Sequence, residues 1–544
     1  MNLPAINKDD VVAGLTGAIA GTPQAMGFAL IAGVNPIYGL YTAVVSTIVG
    51  TILGNSTFMT IGPTNALSLV VFSAIGHLTG DIQLAHMVVL TLLVGIFYLL
   101  FGVLRLGFFI RFVSNAVMTG FVTGAGLLII FGQIRHLNGY SPYGDSVVSR
   151  VGDWMLNFHQ SQIETIFVSI MTLILILLIK RTHFKNYAVL VSFALVTLMI
   201  TAIGWHDVPL VRDISYIPQG LPNLLMPDFT LMAELAPTAL AIAILGAVQS
   251  AAITNSVKEV PDKRVNVNRD FIGMGFANLA GGFFQSMPAC GSLSRTAINM
   301  DAGAKSRASN IFAGIFVAIF LLLFGSWIEL VPLPSLSIQL ILAAISLISI
   351  REIVFIWRVH FSARVAMVAT FFSALFLPLE YSIYIGVGIS LLLYLANSAN
   401  AISAVRLVPL EDGRYQSHPM PTSLPDNEIT LFSIHGNLYF AAVSTLGNIL
   451  PDPAHAQGAI VILRLRENTV LASTGIHFLE DYDKALKANG GRLILVGLSP
   501  TTRQNVLNSS MRQFEEQDLY LATEVIFEAT TQAYADAKHA SASM

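Results

Sequence analysis

A single cysteine, Cys290, stands in 544 residues, so no internal disulfide can brace this chain. Charge is almost as scarce. Only 11% of the residues are Asp, Glu, Lys or Arg, with a formal net charge of -3, where a soluble domain carries roughly a quarter charged residues. The twelve histidines lie mainly in loops, near the ends of apolar runs or toward the C-terminus, and none stands in the His-Glu-x-x-His spacing of a metal site. A Gly-x-x-x-x-Gly-Lys-Ser/Thr phosphate loop is also missing, which removes ATP hydrolysis by this chain as a driving force. The basic residues flank apolar runs and build no nucleic-acid patch. These absences predict no enzyme site, no cofactor, no metal and no nucleic-acid partner.

Apolar sequence is what the chain has in abundance: 54% of its residues are hydrophobic, and the mean hydropathy is +0.69. Runs of bilayer length recur from about Val11 to about Ala404, among them Leu84–Leu104, Ile163–Ile179, Ile311–Ile328 and Ser382–Ala396. They predict an all-α polytopic membrane domain of about fourteen spans. The acidic stretch Met1–Asp10 lacks a basic n-region and a cleavage site, so the first span is expected to stay in the mature protein. With both termini placed in the cytoplasm, Arg105, Lys180, Arg181, Lys263, Arg264, Arg307, Arg351 and Arg358 fall at inner span ends. The outer loops then keep only Arg135, Arg150 and Arg212. That bias fits a multi-pass protein of the plasma (inner) membrane.

Two segments inside the apolar region carry the chemistry. Thr60-Ile-Gly-Pro-Thr-Asn-Ala66 and Pro288-Ala-Cys-Gly-Ser-Leu-Ser-Arg-Thr296 each set glycine and small polar residues before a brief helical stretch. A helix that begins in mid-bilayer aims its unpaired N–H groups and the positive end of its dipole at whatever lies before it. Two such ends facing each other suit an anion. Arg295 adds a full charge whose burial costs about 2.5–3.5 kcal/mol even on a lenient insertion scale, and no acid stands near the middle of a predicted span to neutralise it. Ahead of the two segments, at matching distances, lie Gly21-Thr-Pro-Gln-Ala-Met26 and Leu245-Gly-Ala-Val-Gln-Ser250. The pattern predicts two repeats of about seven spans, roughly 10–205 and 230–405, the second inverted because seven is odd. Gln24 supplies uncharged N–H donors, with a helix–helix hydrogen bond as the alternative. Thr64, Ser292 and Ser294 supply hydroxyls that would otherwise cap their own helices. Cys290, next to Gly291 and Ser292, is expected beside the path and open to small thiol reagents in at least one conformation.

Beyond Arg406 the composition turns polar and proline-rich, which predicts a linker over 406–428 between a transport domain, 1–405, and a soluble domain, 429–544. Ile429–Ile434, Ala459–Leu465 and Arg492–Leu498 are strand-like. Gly475–Ala488 is amphipathic, with Ile476, Leu479, Tyr482 and Leu486 on one face, so the domain is expected to be a small α/β sandwich.

Pro23-Gln-Ala-Met-Gly-Phe-Ala29, Pro36-Ile-Tyr-Gly-Leu-Tyr41, Ile61-Gly-Pro63, Ser292-Leu-Ser-Arg-Thr296 and Ala302-Gly-Ala-Lys305 resemble the sulfate-permease (SulP) type of anion transporter. The tail resembles the cytoplasmic STAS domain of those proteins. The resemblance implies seven plus seven spans in a core and a gate domain, an elevator-like movement of the core, and a homodimer. It implies an anion between the helix starts at Pro63-Thr64 and Gly291-Ser292-Leu293-Ser294-Arg295, beside Gln24 and Phe28. Gln249 of the eighth span belongs to that site; sodium- or proton-coupled members often carry a carboxylate there, and a neutral amide cannot release a proton. Ala472 replaces the acid of the family's Asp-Ser-Ser/Thr-Gly loop, which weakens the case for phosphorylation at Ser473 or Thr474. The expected activity is secondary active transport of a small inorganic oxyanion across the bilayer, sulfate first, bicarbonate or a small dicarboxylate as alternatives. An anion channel, or a membrane anchor whose tail recruits a partner, are readings of other classes.

Overall fold

The computed structural model describes residues 7–108, 114–144, 147–182, 187–205, 207–214, 220–256, 266–359, 361–399, 402–436, 438, 440–466, 471–508 and 514–542. They divide into two compact units, Met1–Ser390 and Leu391–Met544. The first series of elements is α1 (Lys8–Ile31), α2 (Pro36–Leu53), β1 (Thr60–Gly62), α3 (Asn65–Ile75), α4 (Gly80–Val103), α5 (Asn115–Gly132), α6 (Ile134–Asn138), α7 (Val147–Leu156), α8 (Ile163–Lys180) and α9 (Ala188–Ile203). After a single turn, α10 (Val211–Ile214), the order repeats as α11 (Met232–Ser256), α12 (Val267–Phe283), β2 (Cys290–Ser292), α13 (Leu293–Asp301), α14 (Ala308–Ile328), α15 (Leu333–Leu347), α16 (Ile350–Val359), α17 (Phe361–Phe376) and α18 (Leu379–Ala399).

Local signals set these elements. Asn7 caps α1 by accepting from Asp9 N at 3.2 Å, and Asn35 caps α2 from Ile37 N at 3.0 Å with Pro36 opening the helix. Among the described residues, eight helical stretches are long and apolar enough to cross a membrane, and α3, α9 and α17 are shorter apolar helices. Small residues let the long helices approach closely: α4 packs along α12, where a Cβ on Gly95 would come within 2.8 Å of Leu279 N. Phe28, Leu67, Met87, Tyr98, Phe271 and Met274 fill the core between these helices.

The two short strands lie side by side and antiparallel, with Thr60 opposite Ser292, Ile61 opposite Gly291 and Gly62 opposite Cys290. Corresponding strands of the two series thus run in opposite directions, as an inverted second repeat requires. Two buried carboxylates brace the loops beside them. Asp10 accepts from Lys305 N (2.7 Å), Ser306 N (2.9 Å) and Ser306 Oγ (2.7 Å). Asp270 accepts from Asn55 N (2.6 Å), Ser56 N (2.7 Å) and Ser56 Oγ (2.6 Å). Asp10 is therefore wholly buried, although its place just ahead of the first apolar run reads as solvated.

The second unit holds a six-stranded sheet in the order β4-β3-β5-β6-β7-β8, built from β3 (Ser403–Pro409), β4 (Tyr415–His418), β5 (Ile429–His435), β6 (Ile460–Arg464), β7 (Arg492–Leu498) and β8 (Leu519–Leu521). Strands β5 to β8 are parallel, while β3 runs antiparallel to both β4 and β5. Its helices are α19 (Phe440–Ile449), α20 (Ser473–Ala488), α21 (Pro500–Leu507) and α22 (Glu528–Ala542). Ile476, Leu479, Tyr482 and Leu486 of α20 pack on one face of the sheet; Ala529, Ala533 and Ala537 of α22 pack on the other, against Leu431, Ile462 and Ile494. The stretch 406–428 contributes β4 and most of β3 to this sheet. Its prolines flank the strands, and β4 is a largely exposed edge that lacks a hydrophobic run.

Candidate anion site

Short strands inside a membrane domain leave backbone groups to satisfy, and an unpaired one costs several kcal/mol in a bilayer. Side chains from five helices meet that need. Thr47 Oγ1 donates to Ile61 O at 2.6 Å, and Thr60 N donates to Thr296 Oγ1 at 3.0 Å. Gly291 N donates to Ser250 Oγ at 2.9 Å. Asn278 brackets Ala289, accepting from its N–H at 2.8 Å and donating to its carbonyl at 2.9 Å. Asn310 accepts from Thr60 Oγ1 at 2.6 Å and donates to Met59 O at 3.2 Å. The strand pair is thereby a fixed platform from which α3 and α13 start.

Neither helix start is closed by its own cap. Thr64 precedes α3 and Ser292 precedes α13 in extended conformations, and neither side chain accepts a backbone N–H of its helix. Thr64 Oγ1 instead donates to Gln249 Oε1 at 3.4 Å, Cys290 Sγ donates to the same oxygen at 3.3 Å, and the hydroxyl and thiol lie 3.6 Å apart. The Gln249 carbonyl oxygen is thus occupied, which leaves its two N–H donors uncommitted among the described residues. Ser292 Oγ lies 3.5 Å from Ser294 Oγ; Ser294 and Leu293 are exposed on the open side of α13. Cys290 has no exposed surface, so in this conformation its thiol is part of the site's wall and closed to solvent.

Arg295 lies at the crossing of α1, β1 and α13. It is 4% exposed, its Nη1 has no hydrogen-bond partner, and no carboxylate among the described residues forms an ion pair with it. Two glycines make room for it. A Cβ on Gly62 would fall well inside 3.0 Å of Nη1, and one on Gly21 would stand 3.3 Å from Nε. Gln24 and Phe28 follow Gly21 at i+3 and i+7, which places them on the same face of α1. Phe28 is buried, and Gln24 is half-buried with an Oε1 that lacks a donor. The site residues therefore fall into two adjoining groups, Thr64 with Gln249 and Cys290, and Arg295 with the Gly21–Gln24–Phe28 face. Gly291 lies in the strand platform that joins them, and Pro63 directly follows β1.

Sequence reasoning missed Ser250, Asn278, Asn310 and the two glycines that flank Arg295. Ser250 adjoins Gln249, and its position was the one available signal; Asn310 and the two glycines act through partners more than 200 residues away, and Asn278 through Ala289 beyond the end of its own helix. A cleft of about 560 Å³ was also missed. It lies where the ends of α1 to α4 face α6 and α15, and Tyr38, Asp81, Gln133 and Arg135 line it.

Comparison with known proteins shows the family and the fold. The model of the sulfate permease family matches residues 8–370, and that of the STAS domain matches residues 423–524. Probable sulfate transporter 4.2 of Arabidopsis thaliana is 29% identical over 90% of this chain and 76% of its own length. Putative sulfate transporter YvdB of Bacillus subtilis is 26% identical over 92% of this chain and 93% of its own. Murine solute carrier 26 family member A9, an anion transporter solved in the inward-facing state, superposes with a TM-score of 0.83 at 20% identity, covering 98% of this chain and 92% of that one. The apolar helices, the paired half-helices and the order of domains all fit one assignment: the chain is a multi-pass membrane protein of the sulfate permease family of anion transporters, with a STAS domain after its membrane domain.

Proposed function

We propose that this chain is a secondary active transporter of a small inorganic oxyanion, sulfate first, and that the anion rests between the starts of α3 and α13. The observation that carries this reading is Arg295, a buried guanidinium with an unpartnered Nη1 and, among the described residues, no carboxylate in ion-pair contact. A fixed charge in that setting is stabilised by a mobile counter-ion. Two uncapped helix starts, the hydroxyls of Thr64, Ser292 and Ser294, and the amides of Gln249 and Gln24 supply the donors that a dehydrated dianion needs. Sulfate in the names of the relatives points the same way. The neutral Gln249 supports transport without sodium.

In this reading residues 1–405 carry the anion by an elevator-like displacement of a core against a gate, in a homodimer of the plasma membrane with both termini cytoplasmic. Residues 429–544 act as a separate cytoplasmic module. Bicarbonate is the second reading, favoured by Gln24: an unpartnered buried acceptor suits an anion that carries its own O–H.

Uptake of labelled sulfate and bicarbonate into proteoliposomes, with and without sodium and pH gradients, tests the proposal. Arg295→Ala should abolish saturable uptake while expression and monodispersity hold. Arg295→Lys should restore it in part, since it keeps the charge and loses the planar fork. Undiminished saturable uptake by Arg295→Ala would falsify the role.

A further inference from the structure

One corner of the membrane domain, away from the anion site, presents basic and apolar side chains together. The chain leaves helical geometry at Ile348, where α15 ends, and runs through the ten residues of α16 before α17 begins. Both flanking helices are apolar parts of the membrane domain, so α16 joins two membrane segments. Ile356 is the one buried residue among its ten. Ile350, Val354 and Trp357, spaced i, i+4 and i+7, form an exposed apolar stripe. Arg351 and Arg358, again seven residues apart, form an exposed basic stripe beside it.

A third arginine joins them from α17. Arg364 lies over Trp357, with Cζ 6.0 Å from the ring centroid, and its Nε is buried without a hydrogen-bond partner. The acid of α16 is committed elsewhere, since Glu352 Oε2 accepts from Asn115 Nδ2 of α5 at 3.1 Å. Among the described residues, none of the three arginines forms an ion pair. A short helix with arginines on one side and tryptophan and aliphatic residues on the next lies in the plane of the bilayer interface. Hydrocarbon would be costly for Arg351 and Arg358, and the level of the lipid headgroups offers them phosphates.

We propose that α16 and the first turn of α17 bind an anionic phospholipid, phosphatidylglycerol in its chemistry, with the headgroup phosphate at Arg351 and Arg358 and an acyl chain along Ile350, Val354 and Trp357. Planar guanidiniums match phosphate oxygens bidentately. Arg364 adds positive charge behind Trp357 and helps to fix the ring that borders the headgroup. Charge decides the class of lipid: a phosphatidylcholine headgroup brings a cation of its own to a surface that already carries three, whereas a phosphatidylglycerol headgroup brings only the negative charge. The apolar stripe decides for a lipid over a soluble phosphate ester, which has nothing to lay against it.

The test is titration of the full chain in neutral detergent with phosphatidylglycerol, with phosphatidylcholine and free glycerol 3-phosphate as controls, the bound lipid being counted by native mass spectrometry. Saturable binding of phosphatidylglycerol, at least roughly tenfold tighter than phosphatidylcholine, is expected. Arg351→Gln combined with Arg358→Gln should weaken it about thirtyfold, the worth of two arginines beside an anionic headgroup, with the thermal midpoint unchanged. Lys180→Gln combined with Arg181→Gln removes the same charge from the exposed end of α8 and should leave binding at the wild-type level. The proposal is overturned if the two lipids bind equally, if glycerol 3-phosphate competes as well as the lipid does, or if the α16 double variant, folded, binds as the wild type does. Equal losses in the two double variants also overturn it, since they would make the arginines part of a diffuse positive field.

Discussion

Replacing Gly62 by alanine probes the placement of Arg295 without touching its charge. The new methyl would fall well inside 3.0 Å of Arg295 Nη1, so the guanidinium must retreat by about 1 Å, a displacement that in positioned sites can cost on the order of a hundredfold. Loss of one hydrogen bond to a charged group gives a similar figure, about 1.5–3 kcal/mol, or roughly 10- to 150-fold in affinity. Gly62 has no left-handed φ among the described glycines, so alanine brings no backbone strain of its own. The half-saturation concentration for labelled sulfate in proteoliposomes should therefore rise by about 10- to 150-fold, with the melting temperature in detergent near wild type. Two further glycines on α1 calibrate the measurement. At Gly21 the nearest guanidinium atom would stand 3.3 Å from a Cβ, and at Gly17 only Ala313 Cβ is close, at 3.6 Å. Gly21→Ala should have a several-fold effect and Gly17→Ala almost none. A wild-type half-saturation in Gly62→Ala, or equal losses in all three, refutes the claim that Arg295 position sets anion affinity.

Other outcomes follow from the same geometry. Gln249→Glu places a carboxylate beside Thr64 and Cys290, so uptake should become pH-dependent, highest where the new acid is protonated and falling as rising pH ionises it; a flat profile from pH 5 to 8 counts against Gln249 facing the anion. Asp270→Asn sets an amide against backbone N–H donors and should lower stability by about 2–4 kcal/mol, read as a drop in thermal midpoint, with Asp10→Asn behaving alike. Deleting residues 429–544 should change rate, trafficking or assembly and leave the ranking of sulfate, bicarbonate and fumarate intact; a reordered ranking contradicts a site confined to the membrane domain. Cys290, sealed in this conformation, should react with small water-soluble thiol reagents only under gradients that open the site, and more slowly when a transported anion is present. Labelling that no candidate anion slows speaks against the site.

Features written in neighbouring residues were legible, and features made by distant ones were not. Gly62-Pro63-Thr64 and Gly291-Ser292 mark interrupted helices because glycine and proline punctuate locally. Ile476, Leu479, Tyr482 and Leu486 announce a buried helix face by period alone, and the strands β5, β6 and β7 stand within a residue or so of their hydrophobic runs. Tyr415–His418 carries no such run, and its strand character comes only from pairing with β3. Nothing in the sequence marks Asp10 and Asp270 as buried, because the backbone N–H groups that bury them lie 295 and 214 residues away. Gly21 and Gly62 look like two glycines among 42 until Arg295 is seen between them.

The antiparallel contact of β1 with β2 has a consequence for biogenesis. At about 5–20 residues per second, Ser292 leaves the ribosome on the order of ten to fifty seconds after Gly62. Through that interval the amino-terminal half is already entering the bilayer with three residues of unzipped backbone, for which hydrocarbon offers no substitute partner. The first half therefore matures late, and it matures on the second: a ribosome stalled before residue 290 leaves an insertion intermediate with an open polar seam. Such an intermediate is a natural client for the insertion machinery and for membrane proteases, and co-expressing the missing half as a separate polypeptide should rescue it.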